Sequence, residues 1–309
     1  MHKSHAHTGA TIGIVGGGQL GKMTSLAASQ MGYRTHVFAE HYDDPAVFVT
    51  NTSTIASFSD DSKLLDFAST VNLAVIEFEN IPTSAIDVIA TKAPYTPEEL
   101  HYRGARIRRQ GQYMLKSSSD IARVSSLDWS RGYILEKFVD IHEEISLIIA
   151  VAADGSYELF PIAQNYHIDG ILDRSIVPAQ VKNSVRKQAA EMAVTIATSL
   201  GVVGILAVEF FITTGGLLLV NEIAPRPHNS GHWSMDACNV SQFEQLVRAA
   251  CGLPLRRVQL LAPCVTENVF GDTAAVYQTH SHPCSSIHIY GKREPRQRRK
   301  MGHVNTLRY

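Results

Sequence analysis

Apolar positions in the first hundred residues follow two rhythms. Thr11 to Val15 is a short apolar run that stops at Gly16-Gly17-Gly18. Gln19 to Met31 then carries Leu20, Met23, Leu26 and Ala27 at helical spacing, and Gly32 supplies a stop. Arg34 to Ala39 reads as the next strand. A strand, glycine loop, helix and strand in that order open a parallel sheet. Leu64 to Ser69 predicts a helix and Leu73 to Ile76 a further strand, with Glu77-Phe78-Glu79-Asn80 at its carboxyl end. Open α/β sheets bind ligands at that edge. Between about Thr91 and Asp128 the pattern degrades. Pro94, Pro97 and Gly104 interrupt it and Arg103 to Arg109 is basic, so no elements are assigned there.

Order returns at Tyr133. Tyr133 to Phe138 and Ile145 to Val151 alternate as strands do, and Asp154-Gly155 reads as a hairpin turn into a returning strand, Tyr157 to Ile162. Lys182 to Leu200 predicts a long helix capped by Gly201. Gly204 to Phe211, Gly215-Gly216 and Leu217 to Ile223 form a second hairpin pattern, and Ser241 to Cys251 another helix ended by Gly252.

Composition narrows the function classes. Of the 309 residues, 45% are hydrophobic and 18% charged, which suits a folded protein of two or three domains. A net charge of -1 gives no basic excess for nucleic acid. The basic run Arg296 to Lys300, interrupted by Gln297, suits a small anion or a solvated turn. No apolar run approaches the ~20 residues that span a bilayer. The start carries His2, His5 and His7 without the apolar segment of a signal peptide, and reads as a leader. Cys238, Cys251, Cys264 and Cys284 form no CxxC pair, which fits a reducing compartment. A cytoplasmic protein is expected.

Two patterns carry chemistry. Gly16-Gly17-Gly18-Gln19-Leu20-Gly21 satisfies GxGxxG, and Glu40 lies about 20 residues on, where a ribose-binding acid would sit. Alone this reads as a dinucleotide site, as a site for another phosphorylated or polar molecule, or as a tight turn with no ligand. The second pattern is more specific. Glu209 interrupts the apolar run Leu206 to Phe211, and Glu222 interrupts Leu218 to Ile223, with a Gly-Gly turn between. Antiparallel pairing can bring the two carboxylates side by side. Carboxylates in a buried strand are costly unless paired or bound to a metal. With Asn221 they offer the hard oxygen ligands that Mg²⁺ prefers when it bridges nucleotide phosphates; the alternative is two acids on a solvent face. Directly after them, Arg226, His228, Asn229 and Ser230 concentrate polar and cationic groups, as a reaction centre does.

These residues resemble the ATP-grasp superfamily and, within it, the N5-carboxyaminoimidazole ribonucleotide synthetase family. The resemblance rests on Gly13 to Met23, Glu77 to Pro82, Glu136 to Val139 with Glu144, Asn165 to Leu172, Asn221 to Trp233 and Lys300 to Asn305, and covers most of residues 11–90 and 133–305. It implies an α/β fold, ATP-grasp with an N-terminal Rossmann-like parallel-sheet domain. The expected parts are a ribonucleotide-binding domain at 11–91, a central subdomain at 92–139, a domain with the metal and bicarbonate site at 140–262, and an extension at 263–309. The implied ATP-binding residues are Glu136, Lys137, Phe138, Val139, Glu144, His167, Asn221 and Glu222. Glu209 and Glu222 would hold Mg²⁺. Arg226, His228 and Asn229 would surround bicarbonate as catalytic residues. Gly18, Gln19, Leu20 and Glu77 would face aminoimidazole ribonucleotide, and Arg299 and Lys300 its 5′-phosphate. The implied activity is ADP-forming carboxylation of that ribonucleotide in purine biosynthesis, with small-molecule partners, no nucleic acid or membrane, and a homodimer as the assembly.

The chain departs from the family in the middle. The linker near Thr91-Lys92 is largely absent, and of the glycine-rich mobile loop only Gly111-Gln112 resembles the end, with Arg108 and Arg109 before it. Arg298 stands where the family has glycine, and the chain stops soon after His303. Clean gaps at loop positions beside intact signatures favour segments missing from the sequence as read over a truly shortened protein. Other readings are a formate-dependent glycinamide ribonucleotide ligase, a Rossmann dehydrogenase and an inactive ligand-binding relative.

Overall fold

The computed structural model describes residues 6–77, 81–96, 115, 117–125, 127, 130 and 133–308. Half of the expected central subdomain at 92–139 therefore falls outside the described residues, as do Phe78, Glu79 and Asn80 of the second signature and the Arg103–Arg109 and Gly111-Gln112 segments.

Two sheets organise the described chain. The first contains β1 (Thr11–Val15), β2 (Arg34–Ala39), β3 (Thr52–Ile55), β4 (Leu73–Ile76) and β5 (Tyr95–Thr96), all parallel, in the order β3-β2-β1-β4-β5. The order reverses at β1, so the loop after β1 opens at the switch point where such sheets take ligands. Helix Gln19–Gln30 follows that loop, and helices Asp61–Thr70 and Thr83–Ala90 follow β3 and β4. Asp60 caps its helix by accepting from Lys63 N at 3.0 Å, a contact that contributes about 1 kcal/mol.

The second sheet is antiparallel. It contains β6 (Ile141–Val151), β7 (Tyr157–Leu159), β8 (Ala163–Ile168), β9 (Ile171–Val177), β10 (Gly204–Thr213), β11 (Leu218–Ala224), β12 (Cys264–Phe270), β13 (Ser285–Ile289) and β14 (Lys300–Leu307). Its order is β11-β10-β6-β8-β9-β12-β14-β13, with β7 beside β6. Alternation sorts its side chains. Ile145, Leu147, Ile149, Leu206, Val208 and Phe210 pack on helix Asn183–Ser199. Ile148, Ala150, Ile205 and Ala207 turn the other way, into a core shared with β1. Leu20, Met23 and Ala27 of helix Gln19–Gln30 meet Phe243 and Leu246 of helix Gln242–Ala250 in that core. Burying a side chain of the Phe243 or Leu246 kind contributes about 2 kcal/mol. This shared core fixes the glycine loop relative to the second sheet.

Two expected strands come out differently. Tyr133 to Phe138 forms no strand, because no described strand lies alongside it to complete a ladder; Ile134 and Leu135 stay 85% and 87% exposed. The return after Asp154-Gly155 is shorter than the apolar run and pairs with β6 only over Tyr157–Leu159.

Candidate active site

The glycine loop is built around a carboxylate of the chain itself. Gly16 turns at a φ of 115°, a conformation that favours glycine. A Cβ on Gly18 would fall 2.5 Å from Glu77 Oε1. Glu77, at the end of β4, is buried and accepts from Leu20 N at 3.1 Å, with the Gly18 and Gly21 amides adding to the cradle. Burial raises its carboxyl above the usual range, against the pull of those amides and of Arg226. Glu77 thus occupies the helix N-terminus that a pyrophosphate would need. This physical fact removes the dehydrogenase reading of GxGxxG and brings Gly18, Gln19, Leu20 and Glu77 together as one group.

The acid hairpin forms as its pattern predicts. Glu209 of β10 stands directly opposite Glu222 of β11. The next pair is Phe210 with Val220, so Asn221 is the extra residue of a bulge. A bulge re-aims side chains and is common beside active sites. Only one acid is deeply buried. Glu209 is 5% exposed, whereas β11 is the sheet edge and leaves Leu219 and Val220 exposed at 37% and 40%. The apolar residues beside Glu222 reflect an edge strand, not burial on both sides.

Pairing extends the polar face. Ser146 of β6 lies opposite Glu209 on its other side, and Glu144 lies opposite Asn165 of β8. Opposed residues share a face, so Glu144, Ser146, Asn165, Glu209 and Glu222 line one side of the sheet. His167 Nδ1 sits 2.9 Å from Glu144 Oε2. His228 Nδ1 sits 3.5 Å from Glu209 Oε1 and 2.8 Å from Ser230 Oγ. Its backbone N–H donates to Gln242 Oε1 at 2.9 Å. Asn229 opens the short turn Asn229–Gly231 that follows. Arg226 donates to Pro227 O at 3.1 Å and acts electrostatically on both Glu77 and His232. The arginine after the opposed acids therefore lies within electrostatic reach of the acid of the glycine loop. By contrast, Glu136, Lys137 and Phe138 are exposed and Val139 half-buried on the unpaired stretch before β6.

The basic turn closes the ring. Lys300 opens β14, and Arg299 donates to Glu294 O at 2.9 Å. Arg298 holds a φ of 77°, the left-handed region where a side chain costs about 1–2 kcal/mol, and donates to Asp169 O at 2.9 Å. The turn the family makes with glycine is thus kept with a strained arginine. Lys22 Nζ, on the glycine-loop helix, donates to Ile289 O at 3.0 Å and Tyr290 O at 2.9 Å, tying that helix to the end of β13.

Two polar groups here escape sequence reasoning. Lys292, two residues past Tyr290, is pushed down to about 8 by burial and by Arg299, while Glu77 and Asp44 oppose the shift. It is a half-buried lysine within electrostatic reach of the Glu77 carboxylate, and the only sequence trace of it is a lysine after a Tyr-Gly turn. Ser146 Oγ is buried without a hydrogen-bond partner among the described residues; strand alternation alone could have flagged it.

Comparison with known proteins agrees with this arrangement. The family described as ATP-grasp domain matches residues 71–243, the ribonucleotide synthetase preATP-grasp domain residues 9–103, and the phosphoribosylaminoimidazole carboxylase C-terminal domain residues 264–308. N5-carboxyaminoimidazole ribonucleotide synthase of Bacillus subtilis is 35% identical over 357 aligned positions, covering 100% of this chain and 94% of that protein. The chain belongs to the N5-carboxyaminoimidazole ribonucleotide synthase family. A solved ADP complex of such a synthetase superposes with a TM-score of 0.91 at 34% identity, covering 99% of this chain and 94% of that one. The Staphylococcus aureus synthetase with ADP gives 0.90 at 30% identity, covering 99% and 95%. The 357 aligned positions exceed the 309 residues of this chain, so the alignment carries gaps on the side of this chain. Among the described residues no helix is long and apolar enough to cross a membrane.

Proposed function

We propose that this chain carries out its family's reaction, the ATP- and bicarbonate-dependent carboxylation of 5-aminoimidazole ribonucleotide to N5-carboxyaminoimidazole ribonucleotide. The observation that carries this reading is the opposition of Glu209 and Glu222, followed by Arg226 within electrostatic reach of Glu77 of the glycine loop. A phosphoryl-transfer site and a ribonucleotide site then lie side by side.

A bicarbonate oxygen attacks the γ-phosphorus of ATP, ADP leaves, and carboxyphosphate forms. Arg226, His228 and Asn229 hold the bicarbonate and its developing charge. The carboxyl carbon passes to the exocyclic amine of the ribonucleotide, phosphate leaves, and the amine loses a proton. Glu144 and His167 face the nucleotide, with Glu136 to Val139 on its adenine side. Glu77 and the Gly18 to Leu20 backbone orient the ribonucleotide, and Lys300, Arg299 and Lys292 hold its phosphate. Glu209, Glu222 and Asn221 would hold Mg²⁺, since they carry hard oxygens on adjacent strands. Bound there, the ion neutralises phosphate charge. The family resemblance also implies a cytoplasmic homodimer, and the four cysteines are free, as a reducing compartment requires.

The test is ADP release measured with and without each substrate. The reading requires carbamate product and ADP when ATP, bicarbonate and 5-aminoimidazole ribonucleotide are together. Formate-dependent ADP release with glycinamide ribonucleotide would move the chain to the sister ligase. A second reading, a ligand-binding relative without turnover, is favoured by the shortened middle and the exposed Ile134, Leu135 and Phe138. It requires ribonucleotide binding with no ADP released under any combination.

Replacing Lys300 with alanine is expected to raise the KM for the ribonucleotide about tenfold and leave that for ATP unchanged, because a remote phosphate contact contributes uniform binding. Steady-state kinetics varying each substrate check this. A raised KM for ATP alone would assign the turn to the nucleotide.

A further inference from the structure

Between the two halves of the site lies a buried pair of histidines whose chemistry the reaction above does not use. His232 and His303 are both 0% exposed, with ring centroids 4.7 Å apart. Each reaches a different half. The amide of Gln242 is fixed in orientation because its Oε1 accepts from His228 N, so its Nε2 donates both to His228 O at 2.8 Å and to His232 Nδ1 at 3.1 Å. His232 Nδ1 is therefore an acceptor, and the neutral ring carries its proton on Nε2. On the other side, His303 of β14 meets Tyr290 OH through Nδ1 at 3.0 Å and stacks on His288 of β13 at 4.6 Å. His288 Nε2 pairs with Asp236 at 2.8 Å, and Asn305 Nδ2 donates to His232 O at 3.1 Å and to Asp236 Oδ2 at 2.6 Å.

We propose that His232 and His303 are positioning residues that hold the bicarbonate loop, through Gln242 and His228, in register with β14, which carries Lys300, and with the segment after β13 that carries Lys292, through Tyr290. This rests on the reaction proposed above and assigns the register on which coupling of ATP cleavage to carbamate formation depends. Three further facts support it. His232 is bonded to both halves, its Nδ1 accepting from the Gln242 amide that also holds His228 and its backbone O accepting from Asn305 of β14, and it feels the charges of Lys300 and Arg226. Burial, then those cations, keep the ring neutral, as the Gln242 bond requires. The Nε2 atoms of both His232 and His303 are buried without hydrogen-bond partners among the described residues. Two orphaned polar atoms side by side are costly in a core and persist where the site needs them.

The test uses the full chain and substitutions that separate the two ring nitrogens. Asparagine sets its amide near the position of Nδ1, and glutamine near that of Nε2. His232→Asn is expected to keep the Gln242 link, with the ratio of carbamate formed to ADP released and the Kd for 5-aminoimidazole ribonucleotide both within twofold of the parent. His232→Gln loses the link, and the ratio is expected to fall about tenfold with ADP release largely retained. Tyr290→Phe removes only the phenol bond on the other side. It is expected to lower the ratio as well, and it reads the proposal even if the histidine variants fail to fold. Equal behaviour of the asparagine and glutamine variants, or an unchanged ratio in Tyr290→Phe, overturns the positioning role. A parent protein that releases no ADP overturns the reaction instead. In that case the ribonucleotide Kd still decides the positioning claim, being expected about tenfold weaker in His232→Gln and Tyr290→Phe than in His232→Asn.

Discussion

Arg226→Lys is expected to leave ATP binding intact and to cut bicarbonate-dependent ADP release by about 10²-fold, the scale on which removing a preorganised charge-stabilising donor acts. The arginine lies four residues after Glu222 and acts electrostatically on Glu77. Its planar fork matches bicarbonate and the carboxyphosphate that follows, whereas lysine keeps the charge and loses the two-point geometry. Glu136 to Val139 and Glu144, proposed for the nucleotide, are untouched. If Arg226 served only to pair with a nearby acid, the lysine protein would melt slightly earlier and turn over normally. Melting temperature, ATP affinity and bicarbonate-dependent turnover on one sample separate the two outcomes.

Glu222→Gln is expected to keep the fold and lose Mg²⁺-ATP turnover by about 10²-fold or more, since a metal that neutralises phosphate charge is worth several kcal/mol and each 1.4 kcal/mol is tenfold in rate. The fold should survive because Glu222 sits on the edge strand, half-exposed, so the amide is not forced into the core. Its partner Glu209 is 5% exposed on the central side and would carry more structural risk. Thermal melts with a magnesium titration of ADP release check this. Parent-like turnover at saturating Mg²⁺-ATP would remove Glu222 from the metal site.

Much of this architecture could be read directly. The β1 run, the Gly16 to Gly18 stop and the helix at Gln19 form where the pattern places them, because apolar periodicity and glycine stops act locally. The Glu209 and Glu222 hairpin was legible for the same reason. A Gly-Gly turn between two apolar runs sets the register, and register sets which side chains face each other. Tyr133 to Phe138 shows the limit. Its alternation is that of a strand, but a strand needs a neighbour, and no described strand pairs with it.

What the sequence determined by itself, then, is the order of elements, the acid pair and the cationic segment that follows it, and these are enough to imply the family. The tertiary structure decided which of those groups meet. It put the Glu77 carboxylate on the helix N-terminus, so that GxGxxG cradles an internal acid rather than a pyrophosphate. It brought Lys292 to Glu77 across more than two hundred residues of chain, and His232 against His303. Local patterns record only what a residue does to its neighbours along the chain. The charge interaction between Glu77 and Lys292 and the hydrogen bond between Gln242 and His232 exist only once the shared core has brought the two sheets together.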